Sequence, residues 1–200
     1  MAHVQFRLSG TAPLLMHNEQ LANPLLEVSK EISKVAKKRN KTEADHELLA
    51  KLEFKGGLYF ADDIGPYVPG TWIDKTLEVS GKREKLGSTM KAYARCVEDR
   101  MPLEYDGPRT IEKLWDKGFY DMRCVGIQQR KTLRTRPCFK EWSLMTTILY
   151  DDTALDRDQI IRTIERSGVA VGIGDYRPRF GRFTVETLAD ERADNLKRAA

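Results

Sequence analysis

The chain has 200 residues, of which 32% are charged and 40% hydrophobic, enough apolar content to bury a core and too much for a disordered polymer. A formal net charge of +4 permits an anionic partner without requiring one, so the placement of charge decides more than its total. No run approaches the ~18–20 apolar residues of a membrane span, which excludes a transmembrane protein.

In chain order, Val4, Phe6 and Leu8 alternate with Gln5 and Arg7, the period of a half-buried strand. A loop is predicted from Gly10 to Pro24. Leu25, Val28, Ile32 and Val35 then predict an amphipathic helix over 25–38, with a lysine-rich face interrupted by Glu27 and Glu31 and read as solvated surface. Thr42 with Asp45 is a capping pair for a second helix, ended by Gly56-Gly57. Leu58-Tyr59-Phe60 reads as a short strand and Pro66 to Gly70 as a turn. Thr71 with Asp74 predicts another helix start, running through Ile73, Leu77 and Val79, and a further helix is predicted over 88–99. Pro102 to Gly107 is loop.

The second half changes character. Phe119 to Phe139 is rich in β-formers and charge, the composition of a long hairpin. Trp142 to Tyr150 carries apolar residues on both parities, which predicts a central strand buried on both faces. Asp156 with Gln159 caps a helix that Gly168 is expected to stop, and Phe180 to Val185 reads as a closing strand. This order predicts an α+β fold: a ferredoxin-like, RNA-recognition-motif-type antiparallel sheet with helical insertions and a projecting β-ribbon. One such domain is expected over 1–188, followed by a charged tail over 189–200. Cys96, Cys124 and Cys138 form no CxxC pair and have no nearby histidine, so reduced thiols are expected and neither a metal nor another cofactor. The start lacks a basic head followed by an apolar core, and a cytoplasmic location is expected.

Two segments carry the candidate chemistry. In 172–183, Gly172 and Gly174 allow tight turning and close backbone approach, and Tyr176 offers a stacking ring. Arg177, Arg179 and Arg182 present guanidinium groups suited to phosphates. In 130–137, Arg130, Arg134 and Arg136 share one face of an extended strand, with Lys131 beside them. From Arg123 to Trp142 there are six Lys or Arg against one acid, Glu141, an excess suited to tracking a phosphate backbone. Of three histidines, His17 lies after the first strand, where it is a weak candidate for a general base. Asp62-Asp63 and Asp151-Asp152 read as strand-end punctuation.

Val68-Pro69-Gly70-Thr71-Trp72-Ile73, opening a helix, resembles the Pro-Gly-Ser-Ser-Ile/Leu element of the RAMP superfamily, which includes backbone subunits and guide-processing ribonucleases of CRISPR systems. The loop from Gly172 to Phe183 is similar to that superfamily's C-terminal glycine-rich loop, and Gly10 to His17 to the segment after its first strand. Asp74-Lys75 replaces the usual Lys-Gly-x-x-Arg continuation, and the glycine two before Gly181 is missing. With a chain this short, the pattern resembles a compact, stand-alone or phage-type relative. The resemblance implies binding of single-stranded RNA or DNA and leaves catalysis open, since backbone members mostly bind while processing members cut; the expectation is a non-catalytic binder that self-associates along the strand. The alternatives are a metal-independent endoribonuclease using His17, and a protein-interaction factor that mimics or caps a CRISPR-like assembly.

Overall fold

A computed structural model describes residues 1–127 and 130–188, apart from the side chains of Ile127 and Arg130. The tail expected over 189–200 lies outside the described residues. Strand β1 (Ala2–Gly10) buries Val4, Phe6 and Leu8 and turns the alternate residues outward, as a period of two requires. The predicted loop after it contains a two-residue strand, β2 (Leu14–Leu15), whose residues are fully buried together with Met16. A short 3-10 turn, Glu19–Ala22, is capped by Asn18.

Helix α1 (Glu27–Ala36) is shorter than its periodicity predicts, and Leu25 lies outside it in solvent. Helix α2 (Glu43–Gly57) begins with the expected Thr42/Asp45 capping box and ends at the expected glycines. Next come β3 (Phe60–Ala61) and β4 (Gly65–Pro69), so the segment read as a turn is an extended strand, paired to β3 on one side. Helix α3 (Gly70–Gly81) starts without a side-chain cap. The Asp74 carboxylate instead accepts from the Cys96 backbone N–H at 2.7 Å.

The helix predicted over 88–99 is divided into α4 (Gly87–Tyr93) and strand β5 (Ala94–Cys96), because the edge of the main sheet offers residues 94–96 a ladder. Strand β6 (Arg100–Pro102) pairs with β4. Helix α5 (Ile111–Asp116) leads into the ribbon of β7 (Tyr120–Ile127) and β8 (Arg130–Phe139). Strand β9 (Ser143–Tyr150) buries Leu144, Thr146, Ile148 and Tyr150, while the alternate residues are only half-buried, so the strand is central but not enclosed on both faces. Helix α6 (Arg157–Ala170) carries the expected Asp156/Gln159 capping box but passes Gly168, and β10 (Phe183–Thr187) closes the described fold. Gly168 serves close packing, since a Cβ there would collide with the Phe183 carbonyl.

The main sheet has the order β10-β1-β9-β5 with every neighbouring pair antiparallel. Helix α3 lies in the connection from β1 to β5 and α6 in that from β9 to β10, the split strand–helix–strand arrangement of the ferredoxin-like α+β class. The two helices pack on each other through Ser80, whose hydroxyl donates to the Thr163 carbonyl at 3.1 Å. Ile73, Leu77, Ile160 and Ile164 join the inner residues of β1 and β9 in one buried cluster. Two smaller sheets, β2-β8-β7 and β3-β4-β6, flank the main one in the chain. Burial pushes the Cys96 thiol up to about 12 and that of Cys138 to about 11, so neither is a nucleophile near neutrality.

Candidate nucleic-acid interface

The ribbon register sets Arg123 opposite Arg134 and Asp121 opposite Arg136, which puts all four on one face. The segment between α6 and β10 lies over that face. Arg123 makes a two-pronged ion pair with Asp121, and its guanidinium stands 5.0 Å from the Tyr176 ring centroid and 4.4 Å from that of Phe180. Arg136 pairs with Asp175 and lies 5.9 Å from the Tyr176 ring. Asp175 in turn donates its backbone N–H to the Leu15 carbonyl at 2.9 Å. Cation–aromatic contacts and ion pairs therefore clamp the glycine–arginine loop onto the root of the ribbon.

Between ribbon, loop and the α1–α2 insertion lies a cleft of about 630 Å³ whose walls include His17, Ser29, Arg134, Arg136, Asp175 and Tyr176. Helix α2 supplies Glu53, 8% exposed, whose carboxylate pairs with Arg134 and accepts the Thr135 backbone N–H at 2.9 Å. That hydrogen bond satisfies a strand edge that has no strand partner at this point. Partial burial and the guanidinium groups of Arg136 and then Arg134 hold the His17 pKa below its ordinary value, against the opposite pull of Asp175 and Glu53. The neutral imidazole is thereby favoured near neutral pH.

Of the residues singled out in the sequence, His17, Arg134, Arg136 and Tyr176 meet in this cleft. Gly174 and Arg177 line a neighbouring cavity of about 530 Å³ that shares Asp175 and Tyr176 with the cleft. Arg177, Arg179, Arg182 and Lys131 are exposed and form no ion pair among the described residues. The Arg130 side chain lies outside the described residues.

Two expectations need revision. The arginine comb is not a free row of cations: Arg134 and Arg136 are each held by a carboxylate, and Arg136 is only 13% exposed. Gly172 and Gly174 serve the fold itself. Both have φ above +70°, and a Cβ would meet the Phe180 carbonyl oxygen at 2.9 Å from Gly172 and that of Leu15 at 2.5 Å from Gly174. The sequence reading missed Asp121, Glu53 and Asp175 as partners. Asp121 sits two residues before Arg123 on one strand face, a signal available from spacing alone, whereas nothing local pairs Glu53 with Arg134.

The outward face of the main sheet, with His3, Gln5, Arg7, Ser9, Met145, Thr147, Thr184 and Glu186, carries no Phe, Tyr or Trp among the described residues, and its one ring is the His3 imidazole. Among the described residues no helix is long and apolar enough to cross a membrane.

No family model matches the chain, and no curated protein matches it. Among solved structures, it is similar to a chain of the cryo-EM structure of the Type III-B Cmr-beta bound to cognate target RNA, with 12% identity and a TM-score of 0.48. The likeness covers 93% of this chain and 61% of the other, so the chain spans about three fifths of the length of that neighbour.

Proposed function

We propose that this chain is a non-catalytic, RAMP-like binder of single-stranded RNA or DNA, engaging the strand where the ribbon meets the glycine–arginine loop. One observation carries the reading: two segments far apart in sequence, each rich in arginine, converge on a single cleft that also holds an exposed aromatic ring, Tyr176. Cationic rims with an aromatic platform are the common means of holding a single strand with little sequence preference. Lys131, Arg177, Arg179 and Arg182, exposed around the loop and ribbon, supply the phosphate contacts. Self-association along the strand belongs to the same proposal. The test is binding of the purified chain to labelled single-stranded RNA, single-stranded DNA and duplex across a salt series, with complex size recorded. Preferential, salt-sensitive binding to single strands is expected; equal or stronger duplex binding refutes the proposal.

A second reading has its own observation. His17, favoured in its neutral form, stands in the cleft beside two guanidinium groups and Tyr176. A neutral imidazole is fit to take a proton from a ribose 2′-hydroxyl, and a guanidinium to stabilise the charge that develops on phosphate. Metal-free cleavage of RNA that disappears in His17→Ala, with binding retained, would select this reading.

A further inference from the structure

We infer that the cleft seats an unpaired nucleobase while the phosphates of the strand run outside it, an arrangement that rests on the strand binding proposed above and specifies which part of the strand enters. Charge balance is the first reason. Each guanidinium at the cleft already has a carboxylate: Arg134 has Glu53, Arg136 has Asp175, and Arg123 beneath the loop has Asp121. A phosphate entering here meets two carboxylates as well as two guanidinium groups, and the net attraction is small. A neutral base meets no such opposition.

Lining chemistry is the second reason. Part of the lining is apolar: Leu21 and Ala22 from the 3-10 turn and Ile32 from α1. The Tyr176 ring, 40% exposed and backed by the Arg123 cation, lines the same cleft. Apolar side chains together with an exposed aromatic ring suit a flat heterocycle and disfavour an anion. The polar groups that remain are both donors and acceptors. The Arg134 side chain, 36% exposed, supplies donors, and the Asp175 carboxylate, 31% exposed, supplies acceptors. A nucleobase edge presents acceptors and donors side by side and satisfies both, whereas a phosphate presents acceptors alone.

The loop and ribbon cations without carboxylate partners among the described residues lie outside the cleft. Arg177, Arg179 and Arg182 are exposed along the loop, and Lys131 is exposed on the ribbon. The division of labour follows: bases inward, phosphates outward.

The experiment titrates the full chain with adenosine, guanosine, cytidine and uridine, and separately with ribose 5-phosphate and inorganic phosphate, following the His17 imidazole resonances by NMR. Strand binding is measured alongside with a single-stranded 12-mer. At least one nucleoside is expected to shift the His17 signals saturably and more tightly than either phosphate compound. Tyr176→Ala should weaken that nucleoside about 10-fold, as loss of a base–aromatic stack does, and Tyr176→Phe should restore it. Phosphate compounds binding as well as the nucleosides, or nucleosides producing no shift, would overturn the inference. Strand binding without nucleoside binding leaves the proposed function standing and removes the base pocket. Nucleoside binding without strand binding does the reverse.

Discussion

At Gly181, with φ +67°, a Cβ would collide with the Ile173 carbonyl oxygen, whose backbone N–H bonds back to the Gly181 carbonyl at 2.9 Å. The position combines left-handed backbone with a contact that only hydrogen fits. Gly181→Ala is therefore expected to destabilise by about 2–5 kcal/mol, the sum of left-handed strain and overpacking. Arg179→Ala, two residues away and exposed, should stay within about 0.5 kcal/mol of the parent. Thermal melts of both variants decide the matter; equal melting temperatures would mean the loop is not built into the fold as described. His17 gives a second residue-level expectation. Its folded pKa is lowered by partial burial and by Arg136, relative to about 6.5 in an unfolded chain. Between those two values the unfolded chain binds the proton more readily. Stability from this residue is thus lost as pH falls from about 6.5 through the folded pKa, and is unaffected above that window. Arg136→Gln removes the nearer cation while leaving Asp175, so the His17 midpoint in an NMR titration should rise. An unchanged midpoint would leave burial and Arg134 as the causes.

Helix starts illustrate what local sequence decides and what it does not. Thr42/Asp45 and Asp156/Gln159 are equally legible as capping pairs, and both form in full. Thr71/Asp74 has the same spacing and does not cap, because β4 delivers the chain straight into α3 at Gly70, whose N–H bonds to the Asp99 carbonyl at 3.1 Å, and Asp74 is drawn to β5. Asp156→Ala should accordingly cost about 1 kcal/mol and Thr71→Ala less than about 0.5 kcal/mol, read from chemical denaturation. A Thr71 variant as costly as Asp156→Ala would restore the capping role. The same non-local logic explains the helix over 88–99. Residues 94–96 follow a helical run in sequence, yet β9 captures them as a sheet edge, and pairing across a sheet overrides local preference. The site divides in the same way. Its arginines and glycines are visible as composition, because each lies in a short run of one character. Its carboxylates are not: Glu53 comes from a helix 81 residues from Arg134 in sequence, and only the tertiary fold brings the two together.

For the molecule as a whole, where the charge resides matters more than how much there is. The ribbon's apparent excess of cations is offset in the fold by Asp121, Glu53 and Asp175, which come from the ribbon, the helical insertion and the glycine–arginine loop respectively. On the loop and the ribbon strands, Arg177, Arg179, Arg182 and Lys131 are exposed and form no ion pair among the described residues. Affinity for a single strand falls with salt at a slope of about 0.7 per phosphate contact. Replacing Arg177 and Arg179 together by Ala should therefore flatten the slope by about 1.4 and weaken every sequence alike, with folding retained because both side chains are exposed. The informative control replaces a compensated pair without changing net charge. Arg136→Gln combined with Asp175→Asn exchanges one neutral pair for another of similar shape, and should leave the salt slope where it was. Its effect should fall instead on the contribution of the base, seen as a smaller difference between an intact strand and one carrying an abasic site. If this double variant flattens the slope as much as the two loop arginines do, the Arg136–Asp175 pair opens to admit phosphate. The backbone, rather than a base, would then occupy the cleft.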